Sequence, residues 1–330
     1  MAFRLLPRLK ISSKALFYFL LVYLLPLLLV SIVLADRGRS LLLDATISKQ
    51  KVVAASTAEQ VNIFLDDRIR ALVLESKLLA LEKSDAGLAS KDFAAIIKQD
   101  KGIQELILLD PRGIQLVKVD ANGSDFTVPD RSSSDAFKAV SFLGGRYFVS
   151  PVSYGQNNEP SITIAVPILP SNLSQAQNEG TRSAAEATIT SDKFLGVIVV
   201  KYNISKLWQK VLSTKIGKGG YAYVVDSLGN LVAHPNNDYL FKNQKIANVE
   251  AVKNYINDKY DTTITTSEQG ESVVSTPTKL SVNSWAVIVQ EPVSSVYSGI
   301  NSFIELSVII IVSSGLFVTA LSLIFRKQLL

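Results

Sequence analysis

The residues able to do covalent or metal chemistry are few, and their spacing does not suit it. The 330-residue chain has no cysteine and one histidine. That removes disulfides, thiolate metal sites and cysteine nucleophiles together. His234 has no histidine or cysteine nearby to complete a metal shell or a pH switch, and Pro235 follows it. It is read as a strand-end residue. Gly217-Lys218-Gly219-Gly220 has the composition of a phosphate loop, but it lacks the spacing and precedes a strand. Asp66 and Asp67 are adjacent on a helix and do not face each other. No hydrolase triad, zinc motif or nucleotide fingerprint is present. No catalytic residue, cofactor or metal site is expected, and the chemistry left to the chain is recognition.

The elements that would position a recognition site lie between two long apolar stretches, 15–35 and 302–325. Each is long enough to cross a bilayer as a helix, which takes about 20 residues. Arg4, Arg8, Lys10 and Lys14 precede the first and Arg326 and Lys327 follow the second. The positive-inside rule then puts both termini, 1–14 and 326–330, in the cytoplasm and the middle of the chain outside the cytoplasmic membrane. The first stretch exceeds the ordinary length of a signal-peptide core, so it is expected to be retained. The net charge of +5 comes largely from these flanks, and no nucleic-acid partner is implied.

A proline-free stretch, 37–84, reads as a long stalk helix. A weak heptad runs through Ile47, Lys51, Ala54, Ala58, Val61, Leu65, Arg68, Leu72, Glu75 and Leu79. Such a helix needs its own domains, a second copy, or both to pack on; a homodimer along it is expected, with Ala54 and Val61 as crosslinking positions. Period-two alternation then places strands at 103–110, 114–119, 146–152, 161–168 and 194–202, with a short helix at 134–140. The polar stretch 170–193 reads as a mobile loop. A linker helix, 204–217, leads to strands at 221–226, 230–234, 272–279 and 284–290, with a helix at 249–259. LILLDPRGIQLV (106–117) and YVVDSLGNLVAH (223–234) share an apolar strand, a terminal aspartate, a glycine turn and a second apolar strand. This reads as a duplicated antiparallel-sheet unit.

Three stretches carry a family resemblance: SSSDAFKAVSFLGGRYFVSPVSYGQNNEPSITIAVPI (132–168), FLGVIVVKYNISKL (194–207) and GGYAYVVDSLGNLVAHP (219–235). In this order, between two spans, they resemble the double Cache (dCache) sensors of bacterial and archaeal transmembrane receptors. The resemblance implies an α+β fold: a long N-terminal helix and two tandem PAS-like units, membrane-distal at 92–203 and membrane-proximal at 218–292. It also implies small-molecule sensing in the distal unit. The amino-acid-binding subfamily uses an Arg-x-Trp-Phe/Tyr element and a later aspartate. Here Ser134, Asp135, Ala136 and Phe137 occupy the element's slots and Lys201 the aspartate's. A standard α-amino-acid ligand is therefore not expected.

The candidate ligand-binding residues are Arg131, Asp135, Phe137, Tyr147, Tyr154 and Lys201. Two cations among aromatics suit a carboxylate or another anionic metabolite. The chain is expected to be the sensing half of a two-pass receptor of the cytoplasmic membrane, signalling through 302–325 to an output module. A histidine kinase is slightly favoured over a chemotaxis transducer or nucleotide cyclase from WAVIVQEPVSSVY (285–297). Its partners are a small-molecule ligand, membrane lipid and a second copy. A standalone membrane-anchored binding or scaffold protein is the alternative.

Overall fold

The computed structural model describes residues 13–81, 84–141, 146–155, 159–170, 194–236, 238–239 and 246–328. The expected loop 170–193, except Pro170, and residues 1–12, 329 and 330 lie outside the described residues.

The chain opens on one continuous helix, α1 (Ser13–Leu81), interrupted in composition only by Pro26. The first apolar stretch and the stalk are thus a single element, roughly 100 Å long at 1.5 Å per residue. Helix α2 (Ala86–Gln99) follows, its first turn capped by the Asp85 carboxylate, which accepts from the Gly87 and Leu88 amides at 2.8 and 2.9 Å.

The distal unit comprises β1 (Ile103–Leu109), β2 (Gln115–Asp120), β3 (Gly123–Asp125), α3 (Asp135–Ser141), β4 (Phe148–Val149), β5 (Ser153–Tyr154), β6 (Pro160–Ile168) and β7 (Gly196–Asn203). The strands form one antiparallel sheet in the order β3-β2-β1-β7-β6-β4, with β5 also on β6. Among the described residues seven strands stand where five were expected. β3 and β5 are only two or three residues long and carry no apolar alternation to betray them. The strand expected over 146–152 shrinks to β4.

Helix α4 (Ser205–Leu212), shorter than the expected linker helix, leads to the proximal unit. This holds β8 (Tyr221–Val225), β9 (Leu231–Ala233), α5 (Glu250–Ile256), β10 (Thr263–Thr266), β11 (Ser272–Lys279) and β12 (Ala286–Pro292), with sheet order β10-β11-β12-β8-β9. A short α6 (Val293–Val296) turns the chain into α7 (Ser298–Gln328). Among the described residues one segment, Ser298–Ala320 of α7, is long and apolar enough to cross a membrane. α1 also exposes Leu25, Leu27, Leu28, Leu29, Val30, Ile32, Val33 and Leu34 near its start.

The duplication expected from the two D-x-x-G turns is built atom for atom. In the first hairpin Asp110 Oδ1 accepts from the Arg112 and Ile114 amides at 2.9 and 2.8 Å. In the second, Asp226 Oδ1 accepts from the Leu228 and Asn230 amides, both at 2.9 Å. Gly113 and Gly229 follow at φ +86° and +76°, the left-handed region that glycine enters without penalty. A Cβ at either would also collide, with Ser132 in one unit and Ala247 in the other. Each turn therefore presses on the segment that leads into its unit's helix, α3 or α5.

Both sheets hang on α1. Gln50 Oε1 accepts from the Thr276 hydroxyl at 3.0 Å in the proximal unit, while Arg68 donates to the Tyr202 hydroxyl at 3.3 Å in the distal one. The heptad positions Ala54, Ala58, Val61, Leu65, Leu72 and Leu79 are 0–5% exposed and join the main core. That corrects the expected copy-to-copy seam. Apolar burial favours whichever surface is nearest, and the chain's own two sheets take this stripe.

Candidate functional site

Residues directly opposite in an antiparallel sheet share a face, so the register sorts the distal unit's side chains. Leu106, Leu108, Ile162, Ile164, Ile198, Val200 and Tyr202 pack in the main core beneath α1. Ile107, Leu109, Ala165, Val197 and Val199 form a second core on the opposite, outer face, where Phe137 and Val140 of α3 cover them. Phe137 is 1% exposed and meets Phe194 edge-on at 6.1 Å.

Beyond this apolar cap the outer face turns polar. Asp120, Glu105, Lys201 and Thr163 are successive Cα partners across β2, β1, β7 and β6. They form one row straight across the sheet. Lys118, also on this face, donates to Glu105 at 3.0 Å and lies 3.8 Å from Asp120. Lys118 thus serves both carboxylates, and Lys201 makes no ion pair among the described residues. Thr163 is held through its backbone: its amide donates to the Ser150 hydroxyl at 2.8 Å, and its carbonyl accepts from the Ser150 amide at 2.8 Å. The row offers one uncommitted ammonium group and a neighbouring hydroxyl beside two carboxylates already engaged.

The six candidates do not converge. Lys201 lies in the row. Arg131 lies on the outer face too, but at the other end. Its Nε donates to Gln115 Oε1 at 2.8 Å, and Gln115 pairs with Leu109, four residues along β1 from Glu105. At 3.3 Å per residue that separates the two strand positions by about 13 Å. Asp135 is exposed at the start of α3, and Phe137 is core. Tyr147 and Tyr154 pack against the main core on the α1 side. The Tyr154 ring lies 6.0 Å from Trp208, and burial pushes its hydroxyl up to about 12. Tyr147 donates to the Val282 carbonyl at 2.6 Å, in the loop joining β11 to β12. Asn62 of α1 accepts from the Ser281 and Val282 amides at 3.0 and 3.3 Å. Tyr147 is therefore half of a joint between the two units. Glu105, Lys118, Asp120 and Thr163 were missed by sequence reasoning, although their polar type on alternate positions of apolar strands was a usable signal.

A cavity of about 370 Å³ lies on the other face, between α1, α2 and the sheet. Leu72, Leu78, Ile96 and Ile103 line it, with Arg68, Asp100 and Tyr202 at its polar end. Arg68 is committed there: its guanidinium sits 4.2 Å over the Phe64 ring and donates to Tyr202, whose hydroxyl donates in turn to Asp100 at 2.9 Å.

The proximal unit repeats the outer-face pattern. Superposing the two aspartate turns matches Glu105 with Tyr221, Lys118 with His234, Lys201 with Gln290 and Thr163 with Ser275. His234 and Glu268 side chains are each 1% exposed and meet Nε2 to Oε1 at 3.1 Å. Tyr221 also donates to that oxygen, and Gln290 donates to Glu268 Oε2 at 3.2 Å. Burial raises the Glu268 carboxyl, but the His234 and Tyr221 hydrogen bonds outweigh it and leave it below the ordinary range. Burial, then the bond to Glu268, holds the Tyr221 hydroxyl far above its ordinary value, so it remains a donor. His234 is thus no simple strand-end residue.

The fold is shared with solved sensor domains at low identity. The extracellular domain of mmHK1S-Z2, described as a histidine kinase, is similar at 13% identity and TM-score 0.59, over 78% of this chain and 99% of its own. The sensory domain of the Campylobacter jejuni chemoreceptor Tlp3 is similar at 14% identity and TM-score 0.56, over 78% and 98%. The ligand-binding domain of the Pseudomonas aeruginosa amino-acid chemoreceptor PctC, in complex with GABA, is similar at 16% identity and TM-score 0.53, over 74% and 100%. No curated protein matches the sequence. The Cache domain family model dCache_1 matches residues 40–300, from within α1 through both sheets to the start of α7, and the chain belongs to that family.

Proposed function

We propose that this chain is the sensing half of a two-pass membrane receptor that binds a small acidic metabolite on the outer face of its distal sheet. The observation that carries the reading is the polar row with Lys201 uncommitted at its centre, beside the α3 cap. An ammonium group with a hydroxyl neighbour suits a carboxylate or another anionic group. The related PctC structure holds GABA and a related Tlp3 structure holds isoleucine. Here Lys201 in the aspartate's slot favours an acid without a free α-ammonium group.

Transmission follows the covalent and hydrogen-bonded path. Ligand on the distal face shifts the sheet, Tyr147 and Asn62 pass the shift to the β11–β12 loop, and β12 runs through α6 into α7. The start of α1 and α7 lie side by side: a Cβ at Gly38 would collide with Ile300, and one at Gly315 would lie 3.5 Å from Leu24. Two such helices with basic cytoplasmic flanks give the two-pass topology proposed. A second copy fits a different stripe of α1 from the one expected. Leu41, Val52, Ile63 and Leu74, each eleven residues apart, are 51–70% exposed. Leu74 also lines the α1–α2 cavity, which a second copy on this stripe would border. The output remains a proposal, a histidine kinase being slightly favoured. The similar folds include a histidine kinase, chemoreceptors and a sensory box/GGDEF protein.

The test is a calorimetric screen of the full chain in lipid nanodiscs against organic acids, amines, purines and sugars. An organic acid is expected to bind, and Lys201→Ala to weaken it roughly tenfold or more, as loss of a charge-assisted hydrogen bond implies. Unchanged affinity in both Lys201→Ala and Thr163→Val removes the proposed site.

A further inference from the structure

The proximal cluster stands at the positions of the distal binding row but is closed on itself. Where the distal row leaves Lys201 open, the proximal Tyr221, His234 and Gln290 all bond the Glu268 carboxylate, buried beside aromatic rings. Tyr221, Tyr223 and Tyr239 surround the His234 ring at centroid distances of 5.5, 5.7 and 4.9 Å. A face built like a binding site and occupied by its own side chains has room for a very small ligand.

His234 has a partner prepared for either charge state. When neutral, Nδ1 accepts from the Asn236 amide at 3.0 Å while Nε2–H donates to Glu268. When protonated, Nδ1–H can donate instead to the Asn236 carbonyl, 3.1 Å away, and Nε2–H forms an ion pair with Glu268. The groups facing the ring are Tyr221 and Tyr223 from β8, Gln290 from β12, Glu268 from the turn between β10 and β11, and Asn236 and Tyr239 after β9. Among the described residues, Glu268 is the only group facing the ring that is charged at neutral pH. Uptake of one proton therefore changes the buried net charge from −1 to 0, a large change in a medium that screens poorly. Gln290 pairs with Tyr221 in the sheet and stands two residues before Pro292, where β12 turns into α6 and then α7.

We propose that the membrane-proximal sheet carries a second sensory site whose ligand is the proton, bound at His234 against Glu268 and read out through Gln290 at the foot of β12. The site is independent of the distal acid site. Only its readout through α7 rests on the receptor reading.

His234 is the only histidine. Full chain in nanodiscs, labelled with 13C and 15N in histidine, therefore gives one imidazole signal set by NMR. The expected result is a single titration of that signal set, reporting uptake of one proton by the ring. The chain has no cysteine, so Gly299→Cys, at an exposed position with open space around it, carries a fluorophore at the outer end of α7. Its emission is expected to shift with the same midpoint, and His234→Gln to abolish that shift. Glu268→Gln is expected to lower the midpoint by about one pH unit or more, because the opposing charge is gone. A histidine signal that does not titrate overturns the site, whatever the distal site binds. A titrating histidine with a silent Gly299 reporter, a pH response that survives His234→Gln, or an unmoved midpoint in Glu268→Gln overturns the mechanism. If His234→Gln does not fold, the wild-type titration and Glu268→Gln still decide.

Discussion

Asn62→Ala should loosen the joint between the two units by an amount the structure allows to be worked out. Asn62 is 9% exposed, and its side-chain oxygen accepts two backbone amides, from Ser281 at 3.0 Å and Val282 at 3.3 Å. Each such bond contributes about 1 kcal/mol net, so losing both costs about 2 kcal/mol of local stability. That corresponds to a roughly thirtyfold rise in the opening equilibrium of the β11–β12 loop, at about 1.4 kcal/mol per factor of ten. Hydrogen–deuterium exchange on the full chain reads this directly, because a peptide covering Leu280–Ser284 should exchange faster by that factor while β8 and β12 stay protected. Tyr147→Phe removes the other half of the clamp, one bond to the Val282 carbonyl at 2.6 Å, and should speed exchange about fivefold. The double variant should fall short of the product, because an opened loop has nothing left to lose. Unchanged exchange in Asn62→Ala would refute the idea that this loop is the joint, and with it the proposed route from the distal sheet to α7.

Single cysteines at Val52 or Ile63 should give disulfide-linked dimers in membranes, whereas one at Ala54, 0% exposed, should not; the reverse pattern would place the second copy elsewhere. Gly229→Ala forces a Cβ into the left-handed region and against Ala247, and should destabilise the proximal unit by about 1–2 kcal/mol in thermal unfolding. A neutral result would mean that the turn can relax. For Glu268 the folded carboxyl lies below its unfolded value, so its contribution is complete above about pH 4.3 and is lost as pH falls through the depressed folded value. Acid unfolding followed by circular dichroism should show that loss in the native chain, and a flatter acid limb in Glu268→Gln.

The sheets were legible because most of their strands are short apolar runs bounded by turn residues and both open on the same aspartate-glycine turn, a local signal with a local cause. The short strands β3, β5 and β10 were not, since pairing with a neighbour rather than their own pattern makes them strands. The α1 heptad was visible, but sequence period does not say whose surface will cover it; only the placement of both sheets on one side of α1 decided that. The distal row needed register. Glu105 and Lys201 lie far apart in the chain and become neighbours only once β1 and β7 pair. His234 does stand at the end of β9, but its bond to Glu268 was not legible for the same reason, because Glu268 sits on a distant turn and no short spacing announces the pair.

One helix carrying both sheets has a mechanical consequence. α1 is a continuous post from its apolar start to the distal unit, and a helix resists sharp bending unless proline or a bulge breaks its ladder; its one proline, Pro26, lies below both sheets. The sheets can therefore creep along the post or rock about it more readily than they can fold it. α7 is fastened to the assembly through α6 and its flank on α1, so in the receptor proposed above α1 would be the stator and α7 the moving part.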